Sequence, residues 1–287
     1  MRMRSTLTSA VALGSAALGV AAVGAVRRQA RALAQKRRTL IERAAGTRQE
    51  HIEGLDDLPS PVSRYLRWCM DDWRPLRLVR IAQRGTLRTN GHSARWMPFT
   101  AEHLVAPTAP AFLWDAHVRM GPLVHVRVCD ALIEGRGSGH ASLLSAFTIS
   151  SASGTPEMNA GSLHRFLAEA VWYPTALLPG PHLRWSPVDG TRAVAEVSTH
   201  GVSVSLEFRF ADSGEVTSIY TPARWGTFPG GYAQRGWEGH FRNYRTLAGI
   251  RVPTDADVGW YDEDGWQPVW QGTITEYMPL ATSGAKG

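Results

Sequence analysis

The stretch AFLWDAHVRMGPLVHVRVCD, residues 111–130, decides how the rest of the chain is read. In its first half Phe112, Trp114, Ala116, Val118 and Met120 alternate with Leu113, Asp115, His117 and Arg119, the period-2 pattern of a strand with one buried face. In its second half Val124, Val126 and Val128 alternate with His125, Arg127 and Cys129. A three-residue loop, Gly121-Pro122-Leu123, pairs 120 with 124, 118 with 126 and 116 with 128, so each apolar residue meets another. A two-residue loop would set valines against histidine and arginine, a slip that a buried face does not tolerate. The stretch therefore predicts an antiparallel hairpin.

The same signature recurs along the chain. VSVSLEFRF (202–210) turns Val202, Val204, Leu206, Phe208 and Phe210 inward and runs into the turn Asp212-Ser213-Gly214. In DVGWYDEDGWQPVW (257–270), Asp264-Gly265 marks another reversal. Strand-length runs at short spacing, turned by Gly, Pro and Asp, predict a mainly β (α+β) domain over residues 55–280. Its architecture is an antiparallel open or half β-barrel, with no βαβ units. In LPSPVSRYLRWCM (58–70), Val62, Tyr65, Leu66 and Cys69 form one apolar stripe on a short helix opened by Pro61, placed to cover an end of the sheet.

One long helical signal interrupts the strands: GSLHRFLAEAVWYPTALLPG (161–180), with Thr155-Pro156-Glu157 as a start signal ahead of it. A helix from about Leu163 puts Leu163, Phe166, Leu167, Ala170 and Val171 on one face and Arg165, Glu169 and Trp172 on another. Pro174 disfavours helical geometry at Tyr173, so the helix ends or kinks there. Glu169 admits two roles. It is a general acid with a raised pKa, working with a histidine such as His164 or His240, or it is half of a structural ion pair with Arg165, four residues away. A neighbouring guanidinium lowers a carboxyl pKa, the opposite of what a general acid needs at neutral pH, so the ion pair leads. A second titratable group within hydrogen-bond reach of Glu169 is the observation that would favour an enzyme.

The chain carries a formal charge of +6, but residues 1–45 hold nine cations and one acid, which leaves −2 for the other 242 residues. A near-neutral body has no reason to track a phosphate backbone, so nucleic acid is not an expected partner. Residues 8–26, TSAVALGSAALGVAAVGAV, contain no charge and would span roughly 28 Å as a helix, close to a bilayer core of about 30 Å. Residues 1–27 therefore read as a single-pass membrane anchor, 28–54 as a basic juxtamembrane helix and linker, and 281–287 as a disordered tail. A cleaved signal ending near Val23-Gly24-Ala25 and a soluble helix are the rival readings, the first opposed by Arg27-Arg28. The heavier cationic flank on the C-terminal side places the body in the cytoplasm, with an extracytoplasmic body as the alternative.

Other chemistry is sparse. GRGSGH (135–140) lacks the spacing of a nucleophile elbow and the last glycine of a dinucleotide loop, and no Walker loop, H-E-x-x-H or C-x-x-C occurs. Asp115, His117 and His125 share a strand face, yet Arg119 and Arg127 fall among them, and two guanidiniums oppose a divalent cation. No metal or cofactor is expected. Cys69 and Cys129 read as two buried thiols, or as one disulfide if the body is exported. The eleven tryptophans all follow residue 67. Core packing is the ordinary role of any one of them, but a large apolar face with a single donor also suits a ligand cavity.

The blocks LPSPVSRYLR (58–67), WMPFTAEH (96–103), FLWDAHVRM (112–120), DALIEGRGS (130–138), LHRFLAEAVWYPTALLP (163–179), VSLEFRF (204–210), WEGHFRNY (237–244) and Trp270-Gln271-Gly272 resemble, in order, a family of uncharacterised bacterial proteins. That family is a domain of unknown function often carried behind one N-terminal membrane helix, and the resemblance brings no reaction, cofactor or catalytic residue. In layout the chain is more loosely similar to bacterial lipoprotein carriers, incomplete antiparallel barrels closed by helices, which implies that the 163–173 helix is a plug. The expected function is a membrane-anchored, non-enzymatic domain that binds a lipid or acyl ligand. Phe112, Trp114, Val118, Met120, Val126, Phe166 and Trp172 are its candidate cavity wall, with Arg165 and Glu169 as the ion pair. An enzyme using Glu169 on a lipid-like substrate and a protein-interaction module with a filled core are the alternatives.

Overall fold

Among the described residues thirteen strands join edge to edge in one antiparallel sheet. In chain order they are β1 (Leu78–Leu87), β2 (Met97–Ala106), β3 (Ala111–Arg119), β4 (His125–Ile133), β5 (Arg136–Leu143), β6 (Phe147–Ser153), β7 (Leu183–Pro187), β8 (Arg192–Thr199), β9 (Val202–Phe210), β10 (Val216–Phe228), β11 (Gly231–Leu247), β12 (Ile250–Asp262) and β13 (Gly265–Leu280). In space they run β6-β5-β4-β3-β2-β1-β13-β12-β11-β10-β9-β8-β7, so the sheet stays open between β6 and β7. Helices α1 (Met3–Gly46) and α2 (Ser60–Cys69) precede the strands, and α3 (Pro156–Glu169) links the two halves of the sheet. The computed structural model describes residues 3–46, 54–70 and 76–280, with side chains from residue 21 onward. Residues 47–53 of the expected linker and the tail expected over 281–287 lie outside the described residues.

The β3–β4 hairpin has the register of a three-residue loop: Ala116 faces Val128, Val118 faces Val126, and the Met120 amide donates to the Val124 carbonyl at 2.9 Å. The turns at Asp212-Ser213-Gly214 and Asp264-Gly265 also fall between paired strands. Helix α3 begins earlier than its apolar periodicity indicates. Thr155 caps it, with Oγ1 accepting from the Met158 amide at 3.2 Å, and Pro156 occupies the first turn. After Glu169 the chain tightens into 3₁₀ turns at Ala170–Trp172 and Pro174–Leu177, broken at Tyr173, which leaves helical geometry ahead of the proline.

Helix α3 sets the curvature of the sheet. It touches β4 and β5 along one flank and β9 and β10 along the other, and six strands separate β4 from β10. A sheet can meet one helix on both flanks only by curling around it. The glycines of GRGSGH serve this contact: a Cβ on Gly137 would stand 2.5 Å from the Met158 carbonyl oxygen of α3, and the Gly137 amide donates to Asn159 Oδ1 at 2.8 Å. Between helix and sheet lies the main core, including Leu163, Phe166, Leu167, Phe112, Leu206 and Phe208. Helix α2 adds Val62, Tyr65, Leu66 and Cys69 to it, packing against β8 and β12.

The expectation of one buried face fails for the start of β3. Leu113, on the side opposite Phe112 and Trp114, is 2% exposed, because the second half of α1 lies across the outer face of β2, β3 and β4. Leu33, Leu40 and Ala44 of α1 pack there against Leu78, Leu104, Leu113 and Ala131. Lys36 Nζ donates to Ser138 Oγ at 2.8 Å, and Arg37 and Arg43 pair with Glu102 and Glu134. Among the described residues no helix is long and apolar enough to cross a membrane. Most of the uncharged span 8–26 precedes residue 21, where the described side chains begin.

Candidate functional site

A cleft of about 320 Å³ opens between the C-terminal end of α3 and the inward faces of β10 to β13. Among the described residues five tryptophans line it: Trp114, Trp172, Trp237, Trp260 and Trp270. Sheet pairing brings them together, since Trp237 lies directly across from Trp260 and Val258 from Trp270. Trp172 is fixed from α3's side by Nε1 donating to the Pro253 carbonyl at 3.1 Å, and its ring stands 6.3 Å from that of Trp270. Ile219, Phe241 and Val258 add to the apolar wall.

Along one side of the cleft runs a line of charge. Arg165 Nε donates to Glu169 Oε1 at 2.8 Å and its Nη1 to Asp130 Oδ2 at 3.0 Å, while its guanidinium stands 4.8 Å from the Trp114 ring and 5.1 Å from Phe112. His103, fully buried, places Nε2 3.2 Å from Glu169 Oε2, out of line for a hydrogen bond. Burial alone would raise the Glu169 pKa, but Arg165 and His103 outweigh it and hold the carboxyl down to about 2. Asp130 goes the other way: burial raises its pKa despite the pull of Arg165. An acid that ionises near 2 has no proton to give at neutral pH. Glu169 acts here as the anchor that aims Arg165.

Arg224 reaches the cleft from β10. Its guanidinium sits 4.4 Å from the Trp237 ring and 4.9 Å from Trp260, and Nη2 donates to the Gly161 carbonyl of α3 at 3.0 Å. A Cβ on Gly161 would lie 2.8 Å from the Trp225 carbonyl oxygen, so glycine allows helix and strand this close. A bulge decides where Arg224 points. Thr221 pairs with Trp237 but Arg224 with Arg235, so β10 gains a residue, and Arg224 takes the inward place that strict alternation would give Ala223.

Of the residues expected to line a cavity, the structure brings only Trp114 and Trp172 to this cleft. Phe112, Val118 and Phe166 lie in the main core, each 1–2% exposed, while Met120 and Val126 pack at its margin near the hairpin end. Neither named histidine meets Glu169. His164 Nδ1 lies 3.2 Å from the Ala160 carbonyl, and His240 sits on the outer face of β11 between Asp257 at 2.8 Å and Glu238 at 3.1 Å. Asp115 is held by Arg127 Nε and Nη2, each at 2.7 Å, and the His117 and His125 rings lie 5.3 Å apart, tilted by 38°. Among the described residues the grouping with metal-ligand spacing is His92, Asp262 and Asp264, on exposed hairpin ends. Cys69 and Cys129 are free thiols in α2 and β4.

Residues 56–278 match a family described only as being of unknown function (DUF6920), and the chain belongs to it. No curated protein matches the chain. Among solved structures it is similar to a LolA superfamily protein from Nitrosomonas europaea, at 11% identity and a TM-score of 0.39, over 71% of this chain and 86% of that one. A DUF1329 family protein from Desulfovibrio piger is similar at 9% identity and a TM-score of 0.42, over 78% of this chain and 95% of that one. A β-barrel-like DUF1849 protein from Brucella abortus is similar at 9% identity and a TM-score of 0.24, over 73% of this chain and all of that one.

Proposed function

We propose that this member of the family is a membrane-anchored protein that holds a lipid or acyl chain, without transforming it, in a half-barrel closed by α3. The observation that carries this reading is the wall of the cleft: five tryptophans with Ile219, Phe241 and Val258 around about 320 Å³, and a few convergent charged groups at one side. That composition and size fit a site for one apolar chain with a polar end. Residues 8–26 supply the anchor, and the cations from Arg27 to Arg38 hold the sheet on the cytoplasmic side. The packing of α1 on the outer face of β2, β3 and β4 would keep the cleft at a fixed distance from the bilayer.

An enzymatic reading draws support from His103, the second titratable group close to Glu169. It is the weaker reading, because His103 is fully buried behind the cleft wall and Glu169 is already committed to Arg165.

Purification of the full chain from its own host tests the proposal. The protein is expected in the membrane fraction, resistant to a high-pH wash, and mass spectra of gently extracted protein are expected to show one retained single-chain amphiphile. Recovery in the soluble fraction would overturn the anchor, and a bare mass would count against the carrier.

A further inference from the structure

In an apolar cleft, a guanidinium needs a reason to be there. The carboxylates nearest the cleft, Glu169 and Asp130, both bond Arg165, while Asp257 is engaged on the outer face by His240 and Arg242. Arg88, at the rim, spends its donors on the Pro268 and Ser93 carbonyls. Among the described residues Arg224 has no such carboxylate: it is held by two indole faces and one carbonyl, and its Nε is buried without a hydrogen-bond partner. The cleft lining holds three guanidiniums and three carboxylates among these residues, but Asp130 and Glu169 both bond Arg165 and Asp257 is engaged by His240 and Arg242, so Arg224 is left without a carboxylate of its own. Burying a cation without a paired anion is costly, and the buried, unpartnered Nε of Arg224 leaves a place for one.

We infer that the cleft takes an anionic amphiphile, a single apolar chain ending in a carboxylate or phosphate, with the anion on Arg224 between Trp237 and Trp260 and the chain along Trp172, Trp270 and Phe241. This rests on the cleft being a ligand site, as proposed above, and adds the charge of its ligand. Arg224 is suited to the task. Its planar fork presents several donors to an oxyanion, and the two indoles fix its plane in advance, so little rotamer freedom remains to be lost on binding. Burial, together with repulsion from Arg165, brings its pKa down to about 9, the direction that a bound anion would reverse.

The test compares ligands that differ only in the head. Full-length protein is titrated with decanoate, decyl phosphate, decanol and decylamine below their micellar concentrations, with tryptophan fluorescence as the signal. At least one anion is expected to bind tenfold or more tighter than decanol, with decylamine weakest, and the tighter of the two anions identifies the head group. Arg224→Gln is expected to remove that tenfold preference while decanol binding changes less than threefold. Arg224→Lys, which keeps the charge but not the fork, is expected to fall between them. Decanol binding as tightly as both anions would overturn the anion site and leave the apolar site standing. Equal weakening of decanol and the anions by Arg224→Gln would overturn the anion site in the same way. Absence of saturable binding by all four would overturn both readings. The parent comparison does not depend on the variants folding.

Discussion

Replacing Glu169 by Gln is expected to lower folding stability by about 3–5 kcal/mol, the cost of breaking a buried ion pair from one side. The side chain is 16% exposed and the partner Arg165 20% exposed, so solvent does little to screen the loss. The variant leaves Arg165 with Asp130 alone and removes the charge facing His103. Asp130→Asn is expected to cost far less, because burial already disfavours the Asp130 charge in the folded protein. The pH dependence follows from the sign of the shift. The folded pKa of Glu169 is depressed to about 2, below the ordinary glutamate value of about 4.3 in the unfolded chain. Its stabilisation is therefore complete above about 4.3 and is lost as pH falls towards 2. Denaturant melts between pH 7 and pH 2 should show the parent losing stability across that window more steeply than Glu169→Gln. Parallel curves, or a loss below about 1 kcal/mol at pH 7, would mean that the pair is solvated and does not position α3.

The second large effect is expected at Trp114. A residue that merely lined a cavity would be cheap to truncate, because the space beside it is already open. Trp114 does line the cleft, but it is only 4% exposed, and its Nε1 donates to the buried Gln83 Oε1 at 2.9 Å. Its ring meets Phe99 at 5.8 Å and carries the Arg165 guanidinium. Trp114→Ala thus opens a void, orphans Gln83 and strips Arg165 of its platform. The expected loss is about 3–5 kcal/mol, at least that of Leu206→Ala in the filled core. A markedly smaller loss than at Leu206 in the same denaturant series would show that the Trp114 ring has no structural hold.

Much of the fold was legible because the β3–β4 hairpin carries a strict alternation, and a register fixed by apolar pairs has little freedom. The same register, carried two residues further, sets Trp114 opposite Asp130 and so puts a carboxylate beside the helix that bears Arg165. His103 carried a signal too: Met97, Phe99, Ala101, His103 and Val105 alternate along β2, which places an imidazole on an apolar face. The i,i+4 spacing set Arg165 beside Glu169, but spacing says nothing of the strands that α3 would meet. The remaining features depend on distant contacts or broken rules. Trp237, Trp260 and Trp270 converge through pairing of β11, β12 and β13. Arg224 points inward only because a bulge reverses the alternation of β10. Leu113 is buried by a helix some seventy residues earlier, and nothing in a two-residue period names that partner.

Ligand binding in this fold depends on whether the space beneath α3 admits an apolar chain. That is tested most directly by titrating full-length protein with a fluorescent fatty-acyl probe, in parallel with Val258→Trp, whose added indole would occupy the cleft between Trp260 and Trp270. The parent is expected to bind the probe saturably at one site. The variant is expected to lose at least tenfold in affinity while its melting temperature stays within a few degrees of the parent's. Saturable binding that survives Val258→Trp unchanged would place the chain elsewhere, and no saturable binding by the parent would mean that the half-barrel carries none.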